Sequence, residues 1–187
     1  IPPMGGEMTY QFLAWPPGTH WYHSHLALQY ADGAKGMFVV YDDNDGLAPY
    51  YDAERYVMFY DWLPKMSSME YYVLGQVYGN SMHVMATDND MVDWVPAAGL
   101  VNGKAGLRGD SVGDSPLESE LGYVLEMPIG HTLRVRLCFG GWLDKAAVRV
   151  EGHDMLAGAK DGVAVRPVKT SSIMMHPGER FDVLLRA

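Results

Sequence analysis

The chain reads as an all-β protein, an antiparallel sandwich or barrel built from short strands. Three features predict this. Runs rich in Val, Tyr, Phe and Trp recur along the chain, separated by Gly, Pro and Asp-Gly turns. Residues 132–138 alternate, with Leu133, Val135 and Leu137 on one face and Arg134 and Arg136 on the other. No amphipathic helical pattern lies between the strand-like runs.

In chain order, residues 8–13 and 21–25 alternate well enough for strands, and 36–41 is a short apolar run of strand type. Asp32-Gly33 supplies the turn between the last two. An acidic, polar stretch follows at Asp42-Asp43-Asn44-Asp45-Gly46, with Pro49 close behind. That is the composition of a connector, and a domain boundary is placed there. Residues 55–62 form a further strand, stopped by Pro64. Residues 65–99 show no sustained period, and a loop with one helical turn is expected. Five methionines lie in it, Met66, Met69, Met82, Met85 and Met91, with His83 among them. Thioether sulfur can bind cuprous copper, but without fixed spacing gap-filling is the favoured role.

From Leu100 the strand rhythm returns. Asn102-Gly103 is a hairpin signal, and 110–116 is a polar loop. Strands are expected at 123–127, 132–138, 147–151, 163–167, 172–176 and 180–186.

Composition narrows the function. At 48% hydrophobic residues the chain can bury a core. A net charge of −9 with no basic cluster argues against nucleic acid, which needs Lys and Arg gathered on one surface. One cysteine, Cys138, excludes an internal disulfide and every multi-cysteine metal site. A metal must then be held by histidine, carboxylate or methionine. No run approaches the roughly 20 apolar residues that a membrane span requires. The chain opens on Ile1 and closes inside an apolar strand, so a processed or excerpted sequence is expected.

The densest group of metal-binding side chains is Gly18-Thr19-His20-Trp21-Tyr22-His23-Ser24-His25. In a strand, His23 and His25 point to one face, about 7 Å apart along the chain. Two such rings can share one metal or serve two adjacent ones, and the same spacing also suits the polar face of a surface strand. His20 falls on the opposite face from His23 and is read as a neighbour, not a ligand. Cys138 has no nearby histidine partner, so it is read as a small buried hydrophobe rather than a copper thiolate. His153 and His176 each stand alone near turns and read as hydrogen-bonded structural residues, and His131 as exposed. Nucleophile elbows, phosphate loops and dinucleotide fingerprints do not occur.

The stretch from Gly18 to His25, followed by Gln29-Tyr30, Asp32-Gly33 and Gly36, resembles the second copper-binding motif of laccase-like multicopper oxidases. Downstream, several segments resemble that family's second cupredoxin domain in the same order. They are Asp61-Trp62, Val101-Asn102-Gly103-Lys104, Gly152-His153-Asp154-Met155, Asp161-Gly162 with Pro167, and Pro177-Gly178-Glu179-Arg180-Phe181-Asp182. The resemblance implies cupredoxin-like Greek-key β-sandwich domains, the first partial at 1–46 and the second at 47–187. It implies that His23 and His25 each bind one copper of the dinuclear type 3 pair in a trinuclear cluster, as two-metal sites about 3.5–4 Å apart require. It also implies a secreted protein that oxidises phenols, aromatic amines or metal ions and passes the electrons to dioxygen. The family's other copper motifs, including the Cys-His-Met centre, are absent from these residues. The expectation is therefore a fragment, inactive alone, that works with the remaining cupredoxin domains. A non-catalytic cupredoxin-like module that takes up one copper or zinc ion is the alternative.

Overall fold

The computed structural model describes residues 4–26, 29–62, 84–85, 91–92, 98–105, 123–141 and 145–187. Its first strands are β1 (Gly18–His23), β2 (Lys35–Val40) and β3 (Ala53–Trp62). Short strands β4 (Val84–Met85), β5 (Met91–Val92), β6 (Ala98–Val101) and β7 (Lys104–Ala105) follow. Then come β8 (Thr132–Phe139), β9 (Ala146–Val148), β10 (Met155–Lys160), β11 (Val163–Thr170), β12 (Ile173–Met175) and β13 (Arg180–Arg186). The helix among the described residues is a single 3-10 turn at Ala48–Tyr50. The expected all-β class is therefore what forms, and no described helix is long and apolar enough to cross a membrane.

Seven strands form one sheet in the order β11-β10-β13-β8-β3-β6-β7. β3 and β8 run parallel, and the other neighbours run antiparallel. Such jumps between sequence-distant strands belong to Greek-key sandwiches. The alternation of β8 decides how the layers stack. Leu133, Val135, Leu137 and Phe139 enter the core with Val183 and Leu185 of β13 and Met155 and Ala157 of β10. The β9–β12 pair covers this face, contributing Ile173 and Met175. Burying each large apolar side chain there stabilises the fold by about 1.5–3 kcal/mol.

The opposite face of β8 is buried too, but it is ionic. Arg134 and Arg136 are 4% and 3% exposed, and Asp182, paired in register with Arg136, is 2% exposed. Asp182 Oδ2 accepts from Arg134 Nη2 at 2.5 Å and from Arg136 Nη1 at 3.1 Å. Glu54 of β3 takes Arg136 Nη2 at 2.7 Å, and Asp45 takes Arg134 Nη1. The lid over these charges comes from the N-terminal part of the chain: Thr19 of β1 donates to Asp182 Oδ1 at 2.6 Å, and the Tyr41 and Tyr51 rings lie over Arg136 and Arg134. The stretch at 42–46, expected as a connector, is thus docked onto the sheet through Asp45. Leu47 also packs where a side chain on Gly158 would sit, 3.0 Å from the position of its Cβ.

Several expected elements change. Residues 8–13 join no ladder among the described residues, and Met8, Tyr10, Phe12 and Leu13 are exposed. Residues 123–127 likewise join no ladder among the described residues. β10 was not anticipated, because Met-Leu-Ala-Gly-Ala-Lys shows neither alternation nor β-branched residues. β11 runs past Pro167 to Thr170, which an edge strand tolerates because its outward N–H groups need no partner. In the methionine-rich stretch, expected as a loop, Met85 and Met91 pair across the short strands β4 and β5. Met66, Met69, Met82, His83 and the loop at 110–116 lie outside the described residues.

Candidate metal centre

β1 carries the histidines, and its local sequence explains its shape. Pro16 and Pro17 lead into Gly18, whose φ of +133° suits glycine and whose Cβ would meet the Gly162 carbonyl oxygen at 2.5 Å. Thr19, Trp21 and Tyr22 favour extended backbone, and β1 pairs with β2 from Gly18↔Val40 to His23↔Lys35. The ladder stops at His23, two residues short of the expected end. Ser24 N–H donates to Ala34 O at 2.9 Å, Ser24 Oγ donates to Gln29 Oε1 at 2.6 Å, and the chain bends at Leu26.

Alternation puts Thr19, Trp21 and His23 on one face. The Trp21 and His23 rings stack at 4.3 Å with 21° between their planes. His25 lies beyond the strand, yet its ring centroid is 5.1 Å from that of His23, tilted by 37°. The two imidazoles are therefore neighbours. His20 does not join them. Its Nε2 donates to Pro16 O at 2.9 Å, and its ring packs at Gly162.

Tyr30 returns through the turn after β1 and closes the group, 4.8 Å from the His23 ring and 5.5 Å from Trp21. Its hydroxyl donates to Gly141 O. Burial pushes the Tyr30 phenol up from its ordinary range, and nearby Asp61 and Cys138 add to this, so it stays a neutral donor. Lys35 donates to Gly140 O at 2.7 Å and lies over the Tyr30 and Tyr60 rings, while burial holds its ammonium below the usual lysine range. Cys138 is fully buried, and desolvation pushes its thiol up to about 12, as for an inert structural cysteine. Trp21 was detectable in the sequence as the residue two before His23 on the same strand face. Tyr30 was legible only as part of the motif resemblance and Lys35 not at all, since a turn and a strand pairing bring them in.

The donor chemistry fits a soft-to-borderline metal ion. His23 Nδ1 lies 3.1 Å from Ser24 O, and a carbonyl only accepts, so Nδ1 carries the proton and Nε2 keeps its lone pair. That is the orientation a metal-binding imidazole needs. Among the described residues, however, no group of three or more His, Cys, Asp or Glu side chains gathers in one place. His153 Nδ1 donates to Glu151 O at 2.9 Å, and His176 Nδ1 lies 3.3 Å from Glu179 Oε2.

The multicopper oxidase family is described by two sequence models that match this chain, one over residues 54–187 and one over residues 1–45. Among curated proteins, the chain is 27% identical to Laccase-2 of Thanatephorus cucumeris over 187 residues, covering 100% of this chain and 29% of that protein. It is 30% identical to Laccase-4 of the same fungus, covering 99% of this chain and 33% of that one. The chain thus spans about a third or less of the length of these relatives. Among solved structures it resembles a laccase from Botrytis aclada, with a TM-score of 0.67 and 24% identity over 91% of this chain and 29% of the other.

Proposed function

Because the chain belongs to the multicopper oxidase family, we propose that His23 and His25 each hold one copper of a type 3 pair within a trinuclear site. In this reading residues 1–46 belong to one cupredoxin-like domain and 47–187 to the next. The whole protein is a laccase-like, extracytoplasmic oxidase of phenols, aromatic amines or metal ions that reduces dioxygen to water. When bound, copper supplies the one-electron chemistry and the dioxygen-reducing centre. The chain's own residues orient the site. Ser24 O holds the His23 proton on Nδ1, which leaves Nε2 for the metal. Trp21 and Tyr30 flank the His23 ring and exclude water from its sides.

The observation that carries this reading is the pair of adjacent rings, 5.1 Å apart, with the His23 tautomer set by a carbonyl. Two imidazoles cannot by themselves complete a three-copper site, so this chain alone is expected to consume no dioxygen. The remaining ligands would come from further cupredoxin domains. The shortage of ligands among the described residues supports the second reading, a copper-binding module without turnover.

Copper content and dioxygen uptake of the full-length protein separate the two. Loss of groups that merely orient metal ligands costs about 10–100-fold, so loss of a ligand should cost at least that much. His23→Ala and His25→Ala should each lower the copper-to-protein ratio and cut uptake by about 100-fold or more. Wild-type uptake in both variants would end the assignment of His23 and His25 as ligands, and copper binding without any uptake in the wild type would favour the module.

A further inference from the structure

The strand that carries the histidines is held by one arginine of β13. Arg180 Nε donates to Thr19 O of β1 at 3.0 Å, Nη1 to Gly178 O at 3.0 Å, and Nη2 to Asp161 O at 3.1 Å. One guanidinium thereby joins three backbone carbonyls on three separate segments. Asp161 answers from the other side: its Oδ1 accepts the Arg180 N–H at 3.0 Å and lies 3.3 Å from Nη1. The two turns joined in this way are also the ones β1 rests on. Gly162 receives Gly18 and the His20 ring, and a Cβ on Gly178 would lie 3.3 Å from Trp21 Cζ2. Trp21 in turn stacks on His23.

We propose that Arg180 is a positioning residue for His23. It fixes the backbone of β1 at Thr19 and fixes the Gly178 turn against which Trp21 lies, so that the His23 ring has one orientation. The proposal rests on the reading of His23 as a copper ligand. A two-stranded ribbon such as β1–β2 is marginal unless it is anchored, and Arg180 fixes its backbone at Thr19 beside the side-chain bond of Thr19 to Asp182. Lysine cannot replace the arginine, because a single ammonium lacks the planar fork that reaches three carbonyls at once. The Pro-Gly-Glu-Arg stretch at 177–180, remote in sequence from the histidines, thereby acquires a role at their site.

The test uses Arg180→Ala and Arg180→Lys in the full-length protein, with Gly178→Ala as an independent variant that keeps the arginine but crowds Trp21. Amide hydrogen exchange is followed in metal-free protein, and copper uptake is then titrated. Loss of the anchoring bond should speed exchange at residues 19–23 about tenfold while 133–139 of β8 stay unchanged, and should weaken copper uptake in all three variants. Exchange that rises equally in β1 and β8 would reduce Arg180 to a general stabilising residue and overturn the proposal. Unchanged exchange at 19–23 would overturn it as well. If exchange rises at 19–23 while His23→Ala and His25→Ala bind copper normally, the anchoring stands and the ligand assignment fails.

Discussion

Arg134 and Arg136 direct two guanidinium groups at one buried carboxylate, Asp182, and Thr19 caps its other oxygen. Neither arginine nor the aspartate has appreciable access to water, so removing the carboxylate breaks the centre of the buried network and leaves Arg134 with Asp45 and Arg136 with Glu54 as their remaining ion-pair partners. Asp182→Ala should therefore cost about 3–5 kcal/mol. Thr19→Val removes two hydrogen bonds, the one it donates to Asp182 and the one it accepts from Arg136 Nη1, at about 1–3 kcal/mol in all. Urea unfolding of both variants checks the order, and equal costs would mean that the network is not organised around Asp182. The sequence places Arg134 and Arg136 on a polar strand face, and a polar face is ordinarily a solvated one. What it cannot reveal is the cover, because Thr19 lies 117 residues from Arg136 in the chain. The histidine pair shows the reverse: the spacing brought His23 and His25 together in the sequence, and in the fold their rings are neighbours.

Elements were legible where local chemistry matches the fold and obscure where a distant partner makes them. The β6–β7 hairpin was visible because Asn102 and Gly103 take positive φ of 48° and 82°, as a type I′ turn demands. Not visible was a second task of Asn102: its Oδ1 accepts from Met58 N–H at 2.8 Å and its Nδ2 donates to Tyr56 O at 2.8 Å, so the side chain continues the pairing with β3. β8 and β13 declared themselves by alternation. β10 did not, because small residues at Ala157, Gly158 and Ala159 serve close packing against Leu47 and the core rather than strand propensity. Residues 8–13 have a strand's pattern without a ladder among the described residues, since alternation records a face to be covered and not a hydrogen-bonding partner. β1 ends at His23 for a related reason: Ser24 still gives its N–H to Ala34 O, but Ala34 gives its own to Gln29 O, which no propensity scale registers.

At the scale of the whole molecule, an ionic layer joins the N-terminal segment to the large sheet, and acid should loosen it. Burial raises the Asp45 carboxyl, but the Leu47 N–H and Arg134 outweigh this and hold it below its ordinary range; Glu54 is likewise held down by Arg136 and Arg134 against its own desolvation. Glu179 is lowered to about 2, chiefly by its hydrogen bond from Lys160. A carboxylate whose folded pKa is depressed lends stability that is fully present above its unfolded pKa and is lost as pH falls through the folded value. Tm should therefore hold between about pH 7 and pH 5.5 and fall below about pH 4.5, continuing toward pH 2. Added salt should erase the share of the exposed Lys160–Glu179 pair while sparing that of the buried layer, and a Tm flat down to pH 3 would contradict this account. The central claim is that two adjacent imidazoles serve two coppers. Anomalous diffraction at the copper edge, on crystals of the full-length protein, tests it most directly. It should show one peak at His23 Nε2 and another at a His25 ring nitrogen, about 3.5–4 Å apart, whereas a single peak shared by both rings, or none, would contradict it.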